Sequence, residues 1–381
     1  MKRFRSLLVF LLAGLLTANV TWGCLWDYDT LQMERARFPR ALELMTGKFL
    51  RHSREFYLWR IEDRTRRLEM EPDNLHLLDD LAVAYDKTGQ HEKAIETMLR
   101  KEKVKAGEYE TYANLGTFHL HSGQFAEGLK YIKQAIAINP DAHFGREVYQ
   151  QRIVEYMLAK QVEGALPFPL SSDARTIGAR AGFAAFLLMD RELSPAQQKA
   201  EIDKAIKGVL GMMRFGHHDS PVLLESLGDL LLANWHEDAK RLAARAYLKA
   251  AYEVEGQDPQ QAYHKIARES LKLQTVAAQS TTELKLDQLE ALFQTELTEA
   301  DTWYANVRND ELEWIKAGID VDAAFTEKYY VQPTSPTAGT SSSAPWISPR
   351  LVIVCIAITG VIATVTLVSK RRRPPPPSKA D

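Results

Sequence analysis

The chain has 381 residues, of which 45% are hydrophobic and 26% are charged. This composition is that of a folded protein and excludes a wholly disordered one. The formal net charge is -2, but basic residues concentrate at both ends and leave residues 24–349 acidic. An acidic body argues against nucleic acid as a partner, since that binding depends on Lys and Arg neutralising phosphates. With only Cys24 and Cys355, a disulfide framework and a cysteine-ligated metal site are excluded.

The N-terminus has the order of an export signal. A basic stretch at residues 2–5 precedes an apolar run at residues 7–16, and small residues then lead to Cys24. This order predicts a secretory signal peptide over 1–23, followed by an N-terminal segment over 24–40. An uncleaved anchor helix is one alternative, and lipoprotein processing with acylation of Cys24 is another.

The C-terminus has the composition of a tethered membrane anchor. Residues 331–349 contain four prolines, many Ser and Thr residues and no charge, which predicts an extended linker. Residues 351–369 carry no charge, and at about 1.5 Å per residue a helix of this length crosses a bilayer core. We therefore predict a single transmembrane helix over 350–369. The basic tail over 370–381 should then lie in the cytoplasm, with the body on the periplasmic or exterior side.

The body is predicted to be a helical repeat. Between residues 41 and 330 apolar residues recur three and four positions apart, as on one face of a helix, and no segment alternates like a strand. Ala82 and Gly116 lie about 34 residues apart in matching contexts, as do Gly89 and Gly123. A period of this length in a helical pattern predicts repeated helical units that stack on one another to bury their apolar faces.

This pattern resembles the tetratricopeptide repeat, most clearly over residues 75–142. The matching residues are Leu78, Leu81, Ala82, Tyr85, Gly89 and Ala94 in the first unit, and Tyr112, Leu115, Gly116, Gly123, Ile132, Ala135 and Pro140 in the second. The predicted fold class is therefore all-α: a helical repeat solenoid of this type with a C-terminal capping region and one transmembrane helix. The segments at Cys24–Leu31 and Thr46–Phe49 also resemble secreted bacterial repeat proteins of unassigned activity.

The helical body divides into three predicted parts. A repeat array covers 41–142, and a diverged repeat-like region covers 143–255. Helices over 256–330 are expected to cap the last hydrophobic face of the array, with a helical dimer seam as the alternative. Small residues such as Gly116 are expected where neighbouring helices cross with little room between their backbones.

The resemblance implies a binding surface, because tetratricopeptide arrays usually bind peptides or partner helices on the concave face of their first helices. Eight residues are predicted to face this groove: His76, Asp79, Val83, Asp86, Glu110, Ala113, Thr117 and Leu120. Members that bind chaperones have Lys and Asn where this chain has Asp79 and Val83, so their carboxylate clamp is absent. The groove is acidic and partly apolar, which predicts a basic, amphipathic protein or peptide partner.

The remaining polar clusters favour structure over chemistry. Gly216–Asp219 contains two adjacent histidines, but neighbours on a helix point about 100° apart and do not easily share one metal ion. We expect a polar loop whose Asp219 or Ser220 caps the helix that begins at Pro221. His119 and His121 are expected to pack or to meet solvent. No catalytic or cofactor motif is present, so we predict neither an enzyme nor a bound cofactor or metal.

These expectations combine into one functional hypothesis. The protein is predicted to be a membrane-anchored protein–protein interaction scaffold that displays its repeat solenoid outside the cytoplasmic membrane. An envelope assembly or chaperone-like factor is the main alternative, and an enzyme with an unrecognised site is the other.

Overall fold

The computed structural model describes residues 40–171, 182–189, 191–234, 237–273 and 285–330. All of them belong to one structural unit, Met1–Val331. Their α-helices, in chain order, are α1 Ala41–Thr46, α2 Arg54–Met70, α3 Leu75–Lys87, α4 His91–Val104, α5 Tyr109–His121, α6 Phe125–Ile138, α7 Arg146–Lys160, α8 Gly182–Leu188, α9 Pro195–Phe215, α10 Pro221–Ala233, α11 Glu237–Glu253, α12 Gln257–Lys272, α13 Leu286–Ala317 and α14 Val321–Tyr329. A 3₁₀ turn, Ala142–Gly145, precedes α7.

Two successive helix pairs, α3–α4 and α5–α6, share one turn. Gly89 has φ +81° and Gly123 has φ +80°, a left-handed conformation that glycine adopts without steric penalty. The residue after each glycine then donates its backbone N–H back to the first helix: Gln90 to the carbonyl of Tyr85, and Gln124 to that of His119, both at 2.8 Å. The repeated hydrogen bond confirms the helix–turn–helix period that the sequence predicts.

The helices of the second pair cross closely through two glycines. A Cβ atom placed on Gly116 would lie 2.7 Å from Cγ1 of Ile132, and one placed on Gly128 would lie 2.9 Å from the carbonyl oxygen of Gly116. Such distances are shorter than normal van der Waals contact, so larger residues would force the helices apart. The expectation of small residues at the crossing is confirmed at this pair.

The later helices pack around a second, larger core. In the pair α10–α11, the ring of Tyr247 fills the space over Gly228, where an added Cβ atom would lie 2.6 Å from Cζ. Buried leucines and tyrosines from α10, α11 and α12 surround this contact, among them Leu224, Leu227, Leu248 and Tyr263. Gly228 thus leaves room at a helix crossing as Gly116 does in α5–α6, but here an aromatic ring occupies the space.

The C-terminal helices contact both ends of the described array. α13 packs on α11 and α12, in line with the predicted cap, and also on α1 and α2. Buried polar contacts hold the C-terminal helices against the N-terminal ones. Nδ1 of His52 lies 2.6 Å from Oε1 of Glu311 in α13, and Arg60 and Arg64 of α2 both bond Asp322 of α14. The predicted cap therefore also joins the N-terminal helices to the C-terminal ones.

The predicted fold class requires one correction. The described residues form an all-helical, repeat-like structure without a β-strand, but none of their helices has the length and apolar character needed to span a bilayer. The longest, α13, has 32 residues but carries charged side chains along its length, which belong in water rather than in lipid. The transmembrane helix is therefore withdrawn from the fold class. The segments predicted as signal, linker, membrane span and tail, at 1–23, 331–349, 350–369 and 370–381, lie outside the described residues.

Candidate functional site

The structure places most of the eight predicted groove residues inside the fold. His76 is exposed, and Glu110 and Leu120 are partly buried. The other five are buried: Asp79, Val83, Asp86, Ala113 and Thr117. Val83 belongs to the apolar core that α3 shares with α4 and α5. Contact between a partner and these eight positions stays a prediction, and a partner reaches His76, Glu110 and Leu120 most directly.

Asp79 forms a buried ion pair within its own repeat. Lys101 of α4 donates from Nζ to both carboxylate oxygens of Asp79 at 2.7 Å, and both side chains are almost fully buried. Burial raises the pKa of Asp79 to about 7, although the neighbouring ammonium of Lys101 opposes the rise. The carboxylate therefore links α3 to α4, and its charge is not on the surface.

A cavity of about 360 Å³ lies beside two of the predicted positions, Thr117 and Leu120. Its walls come from α5, α7, the end of α9, the start of α10, the loop between the last two, and the end of α11. Half of its lining residues are apolar: Leu120, Ile153, Val154, Met157, Met212, Phe215, Pro221, Val222 and Leu223. The volume is within the range of about 300–1,000 Å³ typical of binding pockets, and it suits a few apolar side chains.

The charged groups of the cavity differ in exposure. Arg146 is buried, with its guanidinium 4.7 Å from the ring centre of Phe215. Asp219 and Glu253 are accessible to solvent, and Glu253 also bonds Lys249. Burial alone would raise the pKa of Asp219, but the nearby His218 and other groups lower it. The accessible charge that lines the cavity is therefore acidic.

The loop after α9 forms one edge of this cavity. As predicted, Gly216–Asp219 is a loop, Ser220 occupies the N-cap position and Pro221 begins α10. The side chain of Ser220 makes no capping hydrogen bond. Lys87 of α3 instead fastens the loop, because its Nζ donates to the carbonyl oxygens of Phe215 at 2.9 Å and Gly216 at 2.6 Å.

A second polar cluster joins the ends of α3, α4 and α5. Oδ1 of Asp86 lies 2.8 Å from Nδ1 of His91, and both carboxylate oxygens lie 2.9 Å from Nδ1 of His121. Burial alone would raise the pKa of Asp86, but the two histidines lower it below its ordinary value. The hydrogen bond to Asp86 in turn raises the pKa of His91. Both histidines thus act as partners of one buried carboxylate.

The sequence analysis named Asp86 and His121 separately and missed His91. Two signals were present: Asp86 and His121 occupy almost equivalent positions one repeat apart, and His91 begins the helix that follows Asp86. His119, the other member of the predicted pair, stacks on Tyr131 with ring centres 5.3 Å apart and bonds Gln124. Only one of these two neighbouring histidines therefore joins the cluster.

Comparison with known proteins gives one match. The sequence model of the tetratricopeptide repeat family matches residues 109–142, which contain α5, α6 and the turn that follows them. No curated protein and no solved structure matches the chain. The family match and the helical structure together support a tetratricopeptide-repeat protein, and the resemblance to secreted bacterial proteins is unconfirmed. Such repeats generally bind protein partners and are typically non-catalytic.

Proposed function

We propose that this protein is an interaction scaffold that binds a segment of a partner protein in the cavity between α5, α7, α9 and α10. The observation that carries the proposal is the apolar surface of this cavity, which Leu120 contributes to and Thr117 borders; the repeat register predicts both positions to face a partner. Apolar concave surfaces with a few polar groups are typical binding sites.

The partner segment is proposed to be basic and amphipathic. Its apolar side chains would fill the space beside Leu120, Met157 and Leu223, and its Lys or Arg side chains would approach Asp219 and Glu253. Opposite charges across an interface speed the encounter and reject acidic competitors. The basic side chains of the partner are thus proposed to meet acidic groups that solvent reaches, and not the buried Asp79.

We also propose that the folded body functions outside the cytoplasmic membrane. The support is the order of basic, apolar and small residues over 1–23, which is that of a secretory signal. Fractionation of cells that produce the protein tests this part separately. Recovery of the folded body from the cytoplasm with residues 1–23 still attached would contradict it.

Selection of peptides from a random library on the purified full-length protein tests the binding proposal. We expect the selected peptides to combine apolar residues with Lys or Arg. Leu223→Lys places a positive charge in the cavity and should weaken their binding at least tenfold, about 1.4 kcal/mol. Raised salt should slow association of the same peptides with the unmodified protein.

Leu99→Lys is the matched control, because Leu99 is 40% exposed on α4 and does not line the cavity. The control should bind the selected peptides like the unmodified protein. Peptides without the apolar and basic pattern, or equal binding to the folded Leu223→Lys variant, would contradict the proposal.

A further inference from the structure

Asp86, His91 and His121 bring three metal-ligand atoms together at one point of the array. One ligand atom from each side chain lies within 4.8 Å of the other two. The three residues come from three helices: Asp86 from the last turn of α3, His91 from the first turn of α4 and His121 from the end of α5. The cluster thus lies where two successive repeats meet.

The distances in the cluster suit a small divalent ion. Zinc bonds imidazole nitrogen and carboxylate oxygen at about 2.0–2.2 Å, so two of its tetrahedral ligand atoms lie about 3.3 Å apart. The carboxylate oxygens of Asp86 lie 2.8–2.9 Å from the two Nδ1 atoms. A displacement of about half an ångström for each pair opens the cluster to this spacing, and rotation of a side chain supplies it.

The three side chains differ in their exposure to solvent in a way that suits a metal site. The Asp86 side chain is fully buried, whereas His91 is 23% and His121 20% exposed. A carboxylate is therefore held in place inside the fold, and both imidazoles can be reached from solvent. Two nitrogen donors and one oxygen donor are a set that binds zinc and other first-row transition metals, whereas calcium and magnesium prefer oxygen ligands alone.

A cation and a third imidazole border this donor set. The ammonium of Lys87, whose charge acts on Asp86, donates to the carbonyls of Phe215 and Gly216. The ring of His217 lies 4.6 Å from that of His121, so a third imidazole borders the cluster.

We propose that Asp86, His91 and His121 form a binding site for a divalent transition-metal ion, with zinc as the ion to test. His121 also lines the cavity described above, so the ion would lie at one end of it. The inference does not depend on the proposed partner, because its ligands and its test concern this chain alone.

Zinc titration of the purified full-length protein, first treated with a chelator and then dialysed, tests the site. Isothermal titration calorimetry should give one zinc ion per chain, and zinc should raise the melting temperature while magnesium and calcium should not. The zinc X-ray absorption spectrum should show nitrogen and oxygen ligands at about 2.0–2.2 Å and no sulfur. His121→Gln should weaken binding more than about 100-fold, beyond the effect typical of an outer-shell change.

His119→Gln is the matched control, since His119 lies on the same helix and bonds Gln124 instead of Asp86. It should bind zinc like the unmodified protein. His91→Gln, at the partly exposed start of α4, provides a second ligand variant if His121→Gln fails to fold. Absence of stoichiometric zinc binding, or equal binding by folded variants at 121 and 119, would overturn the proposal and leave a cluster held only by hydrogen bonds.

Discussion

The repeats at α3–α6 and the later helices α10–α12 bury carboxylates in different ways. In the repeats, Asp79 meets the ammonium of Lys101, and Asp86 meets two histidines. In α10, Glu225 accepts hydrogen bonds from the backbone N–H groups of Leu170 and Ser171 and from the hydroxyl of Tyr263. Asp229, one turn further along α10, accepts from the N–H of Phe183 and the hydroxyl of Tyr247.

The difference shows what each region must hold together. A buried charge requires partners, and those partners are found on whichever segment has to be fixed. In the repeats the partners lie on the neighbouring helix, so the carboxylates join regular helices. In α10 the partners include backbone N–H groups at residues 170–171 and at the start of α8, besides two tyrosines of α11 and α12, so the carboxylates also hold segments that do not repeat.

Removal of Lys101 should have the largest effect in this comparison. Lys101→Met leaves Asp79 buried without a cation, which should lower the free energy of unfolding by about 3 kcal/mol. The loss should not be larger, because the pKa of Asp79 is already raised to about 7. The unpaired carboxyl group can therefore take up a proton instead of staying charged. Urea unfolding followed by circular dichroism measures it.

The double variant Asp79→Leu with Lys101→Met removes both charges, so its stability should return to within about 1 kcal/mol of the unmodified protein. Lys103→Met on the exposed face of the same helix is the control and should change little. Equal losses in the single and double variants would show that packing of the Lys101 stem, rather than its charge, stabilises the repeat.

The next largest expected effect comes from alanine substitution at the two helix crossings, Gly228 and Gly116. Gly228→Ala drives a Cβ atom into the ring of Tyr247, whose hydroxyl is fixed by Asp229, so the ring cannot easily withdraw. Overpacking should exceed the helix-propensity gain of alanine and leave a loss of about 2 kcal/mol. At Gly116→Ala one side-chain atom, Cγ1 of Ile132, would lie closer than 3.0 Å to the new Cβ atom, whereas two ring atoms of Tyr247 do so at Gly228, so the loss should be smaller, about 1 kcal/mol. Thermal unfolding of both variants measures the contrast, and a larger loss at 116 would reverse it.

The smallest expected effect is a change in pH dependence. Burial, with the nearby charge of Glu225, raises the pKa of Asp229 well above its ordinary value. The folded state then holds a proton that the unfolded state releases from about pH 4 upward, so stability falls as pH rises through this window. Asp229→Asn removes the titrating group and keeps the shape, since its amide can accept from Phe183 and donate to Tyr247. Urea unfolding measures the free energy of unfolding between pH 4 and pH 8, which should fall less with rising pH in this variant than in the unmodified protein. An equal fall in both proteins would show that another group causes the pH dependence.

The regular parts of the fold could be predicted, because they depend on local patterns. The spacing of Gly89 and Gly123 and the small residue at 116 gave the period, the turns and the close crossing. The burial of Asp79 could not be predicted in the same way, because Lys101 lies 22 positions further along the chain and nothing in the spacing marks the pair.

The candidate site could be predicted only in part, for a related reason. Thr117 and Leu120, two of the positions that the repeat register predicts for the groove, line the cavity, but most of its wall comes from later helices, chiefly α7, α9 and α10. These helices follow no clear period, so their approach to α5 depends on tertiary packing. The same packing brings His217 beside His121 across almost a hundred residues. The register therefore indicates only the residues that α5 contributes, and whether a partner contacts them stays a prediction.

Site-specific photo-cross-linking from position 223 tests the central claim, that the cavity binds a partner segment, most directly. A photoreactive amino acid replaces Leu223 in one protein and Leu99 in another, each produced in cells, and the cross-linked peptides are sequenced by mass spectrometry. The account predicts adducts from position 223 that map to a basic, amphipathic segment of a partner, and none of that sequence from position 99. Adducts with that segment from both positions, or from neither while the folded protein still captures it, would contradict the claim.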